Sequence, residues 1–145
     1  MSVELPFAPI DGIIRRNAGG LRVSAEATAE LAERVQSHGA AVAISAAERA
    51  DADGRKTLMA DDFSSDSLPA REDVTLPIAP VDRIARLDID DRYRVSMEAR
   101  IALAAQLESY ADDVAVGAAT LARHAGRRTV TDSDVTTYFE LTVGE

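Results

Sequence analysis

The sequence contains no cysteine and no tryptophan, and only one of its sixteen basic residues is a lysine. Without cysteine the chain has neither disulfides nor thiolate metal ligands, which is compatible with a reducing compartment. Histidine is also scarce, and the sequence shows no nucleophile elbow and no phosphate-binding loop. We therefore expect no enzymatic activity, no cofactor, no metal site and no small-molecule substrate.

Long apolar runs are missing as well. No run approaches the roughly 18 residues that a membrane span needs. The first residues, Met1 to Pro6, have neither the basic region nor the apolar region of a signal peptide. We expect a soluble, cytoplasmic protein with no membrane partner.

The net charge is −9. A polyanionic partner is usually bound by clustered cations, so the total charge argues against one. The positions of the cations argue the other way, because eleven of them fall in short segments that flank the long apolar stretches. The eleven cations are Arg15, Arg16, Arg22, Arg55, Lys56, Arg83, Arg86, Arg92, Arg94, Arg127 and Arg128.

Lysine scarcity with acidic excess is typical of a halophilic surface.

The chain is a doublet of one unit. Residues 54–58 (GRKTL) return 72 positions later as residues 126–130 (GRRTV), and residues 5–9 (LPFAP) return as 76–80 (LPIAP). Two copies of a supersecondary unit are too few for a solenoid. Each copy is also near the size limit for folding alone, so we expect the copies to bury their apolar faces against each other.

The residue pattern of each copy predicts a short helix, a long helix and a second short helix. In the first copy we expect Pro9 to occupy the first position of a helix of about two turns. Residues 17–20 are expected to end this helix. Ser24 then caps a helix of about 27 residues, and Arg55 to Leu58 form a short extended piece. The third helix follows Thr131 in the second copy and is curtailed at residues 59–63 in the first. Residues 64–75 are predicted to be a linker long enough for the copies to fold together.

This order of elements, with Arg-Val-Ser in the first loop and Gly-Arg-Lys-Thr in the second, resembles the histone fold. Both halves are similar to archaeal histones fused in tandem, as in doublet histones of halophilic archaea. The resemblance implies an all-α fold with a first histone fold at residues 1–63 and a second at residues 76–145. It also implies that the two folds pack as an intramolecular handshake pseudo-dimer.

The resemblance further implies a double-stranded DNA partner. In the family the first loop of one fold lies beside the second loop of the other, which here joins Arg22 to residues 127–129 and Arg94 to residues 55–57. Loop arginines can enter a minor groove while N–H and hydroxyl groups bind phosphates. Gly12 occupies the position in the first copy that matches Arg83. The implied DNA-binding residues are Arg15, Arg22, Arg55, Lys56, Thr57, Arg83, Arg86, Arg94, Arg127, Arg128 and Thr129.

Two further sets of residues follow from the resemblance. Arg55 with Asp62, and Arg127 with Asp134, match a pair that braces the second loop. Leu121, His124 and Asp134 match the family's interface between dimers, whereas the first copy has Arg49 and Ala52 at the first two of these positions. Self-association is therefore expected only through the second fold.

Two functions stay open at this point. One is a histone pseudo-dimer that bends or wraps duplex DNA largely without base specificity, associated with the chromosome in nucleoid organisation or transcription regulation. The alternative is an acidic histone-fold module for protein interaction, or a regulator, with weak or lost DNA binding. The loop cations favour the first, whereas the net charge, Gly12 and the aspartates at positions 88–91 favour the second.

Overall fold

A computed structural model describes residues 3–63 and 68–142 of the chain. In these ranges five α-helices and four two-residue strands alternate, and none of the helices is long and apolar enough to cross a membrane. The predicted all-α class is confirmed, since the strands only join loops. The elements are α1 (Phe7–Asn17), β1 (Arg22–Val23), α2 (Ala25–Ala52), β2 (Thr57–Leu58), α3 (Ile78–Ala85), β3 (Arg94–Val95), α4 (Met97–His124), β4 (Thr129–Val130) and α5 (Asp132–Thr142).

The two long helices, α2 and α4, have 28 residues each, as the apolar periodicity predicts. Both begin after a serine. The backbone N–H of Ala27 donates to Oγ of Ser24 at 3.0 Å, and that of Ala99 donates to Oγ of Ser96 at 3.1 Å. A serine oxygen at this position satisfies an N–H that has no partner within the helix, so both copies start their long helix in the same way.

The start of α1 differs from the prediction. The helix begins at Phe7, after Pro6, and has 11 residues, so Pro9 is its third residue and the helix has three turns instead of two. Proline is tolerated throughout a first turn, whose N–H groups have no helical partner, and so Pro9 does not mark the first residue. The helix ends at Asn17, and Gly19 adopts a φ of +62°, as expected for a left-handed stop.

The third element differs between the copies. In the second copy it is α5, with 11 residues, whereas in the first copy it is a four-residue 3-10 helix, Ala60–Phe63. Within the described residues, the third element of the first copy is therefore shorter than that of the second, as predicted. Residues 64–67 of the predicted linker lie outside the described residues, and residues 68–75 include a second 3-10 helix, Arg71–Asp73, which the sequence did not predict.

The described residues form two compact units. The first unit comprises residues 3–5, 36–63 and 68–108, and the second comprises residues 6–35 and 109–142. Because α2 and α4 each contribute to both units, each unit combines residues of both sequence copies, as the predicted handshake requires. Fully buried apolar side chains form the core of each: Leu58, Leu76, Val81, Ile84 and Leu107 in the first unit, and Ile10, Ile13, Ile14, Leu31 and Val114 in the second.

One glycine allows a close helix approach within the first unit. A Cβ atom on Gly39 of α2 would lie 2.7 Å from Cγ2 of Ile84 and 2.9 Å from Cδ1 of Leu107. Both distances are below ordinary van der Waals contact, so a side chain at this position would displace core residues. Gly39 therefore lets α2 pack directly on this core, although glycine inside a helix costs about 1 kcal/mol relative to alanine.

Candidate nucleic-acid interface

Strand β1 pairs in parallel with β4 in the second unit. The register sets Arg22 opposite Thr129 and Val23 opposite Val130. The N–H of Arg22 donates to the carbonyl of Arg128 at 2.8 Å, and the N–H of Ser24 donates to the carbonyl of Val130 at 3.0 Å. We call residues 17–23 together with residues 123–130 the β1/β4 loop pair.

Strand β2 pairs in the same way with β3 in the first unit. Thr57 lies opposite Arg94 and Leu58 opposite Val95, and the N–H of Arg94 donates to the carbonyl of Lys56 at 2.8 Å. We call residues 51–58 together with residues 88–95 the β2/β3 loop pair. In both units the structure brings together the loops that the resemblance to histones joins.

Three arginines of these loop pairs project into solvent. Arg22, Arg94 and Arg128 are exposed, and none of them has a side-chain hydrogen bond or ion pair with any residue in 3–63 or 68–142. An exposed guanidinium of this kind can form charge-assisted hydrogen bonds to a phosphate without breaking a contact within the protein. Thr57 and Thr129 are half-buried beside these arginines.

Two other arginines of the predicted set bind carboxylates of their own copy. Arg55 donates to both oxygens of Asp62, at 2.9 Å and 2.8 Å. Arg127 forms the equivalent bidentate pair with Asp134. Each arginine also donates to a loop carbonyl, that of Thr57 or Thr129. These contacts fix the turn that presents β2 or β4, so the geometry supports a bracing role for Arg55 and Arg127.

We call the Arg55–Asp62 and Arg127–Asp134 pairs the braces. They hold buried carboxylates in the ionised form. Asp62 and Asp134 are only 3% and 2% exposed. The hydrogen bonds from Arg55 lower the pKa of Asp62 despite its burial. Burial raises the pKa of Asp134, but hydrogen bonds from Arg127 and Thr131 outweigh it, so that this pKa is also lowered. Both aspartates therefore remain charged acceptors at neutral pH.

The remaining cations of the predicted set carry an acidic partner. Exposed ion pairs of this type contribute little to stability, because water screens them and both side chains are long. A phosphate can therefore compete for these cations. The pairs are Arg15 with Asp11 (2.7 Å), Lys56 with Asp51 (3.1 Å), Arg83 with Glu4 (2.8 Å) and Arg86 with Asp82 (3.1 Å).

The residues predicted for association between molecules lie at the end of α4, for Leu121 and His124, and in the first turn of α5, for Asp134. Leu121 is half-buried, His124 is the exposed last residue of α4, and Asp134 is buried in its brace. In the first copy Arg49, which occupies the position equivalent to Leu121, donates from Nη1 to the carbonyl of Asp62. The first copy thus presents a cation bonded to its own 3-10 helix where the second copy presents a leucine.

Sequence reasoning overlooked two residues near these sites. Arg123 donates from Nη2 to the carbonyl of Ala18 at 3.1 Å, so its charge lies over the loop before β1. Glu4, which binds Arg83, lies outside every motif of the sequence. The repeat could have revealed Arg123, because its counterpart 72 positions earlier is Asp51, a reversal of charge at equivalent positions.

Short and long helices in this order, with paired loops carrying arginine and threonine, define a histone-fold protein. The family model described as "Histone-like transcription factor (CBF/NF-Y) and archaeal histone" matches residues 3–65 and residues 74–137. The chain belongs to this family, with two fused histone folds packed as an intramolecular handshake pseudo-dimer. The family is a non-enzymatic one whose members bind DNA and form dimers.

Individual relatives agree with this assignment. The chain is 52% identical over 60 residues to the archaeal histone HAN1 of Thermococcus zilligii, and the match covers 41% of this chain and 87% of the relative. The crystal structure of the histone from Methanopyrus kandleri superposes with a TM-score of 0.72 at 25% identity. That match covers 97% of each chain. The fused arrangement of two folds is thus similar to a solved histone over nearly the whole length.

Proposed function

We propose that the chain bends or wraps duplex DNA through its two loop pairs, largely without reading base sequence. The observation that carries this proposal is the parallel pairing that sets Arg22 beside Thr129 and Arg94 beside Thr57 with the arginines exposed. Arginine in a minor groove, with hydroxyl and N–H groups on adjacent phosphates, binds DNA by shape and charge. The proposed role is nucleoid organisation, transcription regulation or both, on the chromosome in the cytoplasm.

The proposal includes a division of the chain and a mode of self-association. Residues 1–63 and 76–145 are the two histone folds, joined by the linker at 64–75. Two chains associate through their second folds, using Leu121, His124 and Asp134, whereas Arg49 closes the equivalent surface of the first fold. An isologous contact used once by each chain ends the assembly at two chains.

A binding titration with matched variants tests the DNA contact. Arg22→Ala combined with Arg94→Ala is expected to weaken binding to a duplex by about 1–3 kcal/mol, the value of charge-assisted contacts. Arg71→Ala serves as the control, because Arg71 is an exposed arginine outside both loop pairs. A loss in the double variant no larger than that in the control would reject the proposed interface.

Energy transfer between dyes at the two ends of a short duplex tests bending separately. The parent protein is expected to shorten the distance between the ends, and the double variant to shorten it less at equal occupancy. Saturating protein that leaves the distance unchanged would contradict bending while leaving DNA binding intact.

The second candidate is an acidic module that binds other proteins. It is favoured by the net charge of −9 and by the intrachain acids that occupy Arg15, Lys56, Arg83 and Arg86. The same titration separates the two functions. A parent protein that does not bind duplex DNA even at low salt would favour this module.

A further inference from the structure

The two loop pairs contain equal numbers of cations but very different numbers of acids. Each has four basic residues, Arg22, Arg123, Arg127 and Arg128 in the β1/β4 loop pair and Arg55, Lys56, Arg92 and Arg94 in the β2/β3 loop pair. The β1/β4 loop pair has no aspartate or glutamate. The β2/β3 loop pair has five aspartates, two at positions 51 and 53 and three within residues 88–91. The difference between the two surfaces is therefore entirely in their acids.

The acids of the β2/β3 loop pair contact its cations. Asp51 lies 3.1 Å from Nζ of Lys56, Asp53 lies 3.0 Å from Nη2 of Arg55, and Asp90 lies 3.9 Å from Nε of Arg92. Among the cations of this loop pair, only Arg94 lacks a described side-chain partner. Phosphates approaching Arg94 would therefore also meet the repulsion of carboxylates that belong to the same loop pair.

The β1/β4 loop pair has the opposite character. Arg22 and Arg128 have no side-chain partner within the described residues. In the same part of the chain, the carboxylate that binds Arg127 is that of Asp134, and this pair is equivalent to the pair of Arg55 with Asp62. Arg123 stands where the first copy has Asp51. Its guanidinium binds a carbonyl of the same loop pair, so that its charge adds to those of Arg22 and Arg128.

We infer that the chain binds DNA with a fixed polarity, in which the β1/β4 loop pair is the anchor and the β2/β3 loop pair contributes a weak contact. This inference rests on the proposed DNA-binding function. Each phosphate contact adds about 0.9 to the slope of log affinity against log salt. The anchor makes more of these contacts and therefore supplies most of that slope. Asp51 and Arg123 set the polarity, because they reverse the charge at equivalent positions.

Matched double variants at equivalent positions test the polarity. Arg22→Ala with Arg128→Ala removes two cations from the anchor, and Arg94→Ala with Lys56→Ala removes two from the other loop pair. The first variant is expected to lose on the order of 100-fold in duplex affinity, since each charge-assisted contact is worth about tenfold or more. The second is expected to lose less than about fivefold, because intrachain acids screen those cations. Helical circular dichroism verifies that both variants are folded.

A gain of affinity provides the complementary test. Asp51→Arg introduces the residue of the second copy at an exposed position and removes the partner of Lys56. It is expected to raise affinity at least about threefold more than Glu72→Arg, which makes the same change of charge outside the loop pairs. Equal losses in the two double variants, or equal effects of Asp51→Arg and Glu72→Arg, would overturn the polarity while leaving DNA binding in place. No loss in either double variant would instead reject the proposed function.

Discussion

Glu4 holds Arg83 in an ion pair, with 2.8 Å between Oε1 and Nε. The backbone N–H of Glu4 donates to Oε1 of Gln36 at 2.7 Å, which fixes the segment that carries the carboxylate. The equivalent positions in the repeat are Thr75 and Gly12, so neither partner of this pair has a charged counterpart. An arginine that the family resemblance assigns to DNA is therefore occupied by an acid of the same chain.

Glu4→Gln is expected to strengthen DNA binding. The substitution removes the negative charge beside Arg83 and keeps a side chain of similar size, so a phosphate can take the place of the carboxylate. The gain is expected to be about 0.2–1 kcal/mol, because exposed ion pairs have energies in that range. Titrations of the parent and the variant on one duplex measure it.

Arg83→Ala in the Glu4→Gln background supplies the control, and should abolish the gain. Weaker binding by Glu4→Gln alone would show that Glu4 orients Arg83 toward DNA and does not compete with it.

Stability should depend on pH through the two braces. The pKa values of Asp62 and Asp134 are lowered from the ordinary value of 3.8 in the folded chain. Their stabilising contribution is thus fully present above the unfolded pKa and is lost as the pH falls through the folded pKa. We expect the free energy of unfolding to decline from about pH 5 downward. Denaturant unfolding at a series of pH values measures this decline.

Asp134→Asn should lower the free energy of unfolding by about 2–4 kcal/mol at pH 7, because it leaves Arg127 without its buried partner. It should also reduce the decline toward acid pH. Asp132→Asn is the control, since Asp132 is exposed at the start of α5. An equally small effect of both substitutions at pH 7 would show that the brace does not stabilise the fold.

Alanine substitutions at two helical glycines should have opposite effects. At Gly39 a Cβ would collide with Ile84 and Leu107, and overpacking costs about 1–3 kcal/mol. At Gly12, in α1, a Cβ meets no atom within 4 Å, so alanine should stabilise by about 0.5–1 kcal/mol through helix propensity. Thermal unfolding of both variants checks the signs. Stabilisation by Gly39→Ala would mean that the core accommodates the methyl group.

Association between chains should depend on the second fold alone. Leu121→Glu is expected to convert two-chain assemblies into single chains, because it introduces a charge into the proposed apolar interface between two second folds. Arg49→Glu is the matched control and should leave the mass unchanged. The mass of the protein assemblies, measured on long DNA and in solution, tests this prediction. Continuous polymers of the parent protein would contradict the expectation that the first fold does not associate.

Much of the fold could be predicted because the repeat reports each element twice. The long helices, the stop at Asn17 and the truncated third element of the first copy all follow from periodicity and local residue preferences. The start of α1 could not be located, since proline fits several positions of a first turn. The contact between Glu4 and Arg83 was also beyond prediction, because these residues lie 79 positions apart and meet only through tertiary packing.

In the candidate site, the pairing of the loops could be predicted from the sequence, whereas the ion pairs of the loop cations could not. The resemblance joins Arg22 to residues 127–129 and Arg94 to residues 55–57, and the strand registers set Arg22 opposite Thr129 and Arg94 opposite Thr57. Which cations have acidic partners depends on side-chain geometry that sequence spacing does not define, as with Lys56 and Asp51.

The most direct test is the affinity of the parent protein for several duplexes of unrelated sequence, measured from low to molar KCl. We expect the protein to bind all of them with affinities within about threefold, and log affinity to fall linearly against log salt, as phosphate contacts require. Binding that is absent at low salt, or that is confined to one sequence and insensitive to salt, would contradict this expectation.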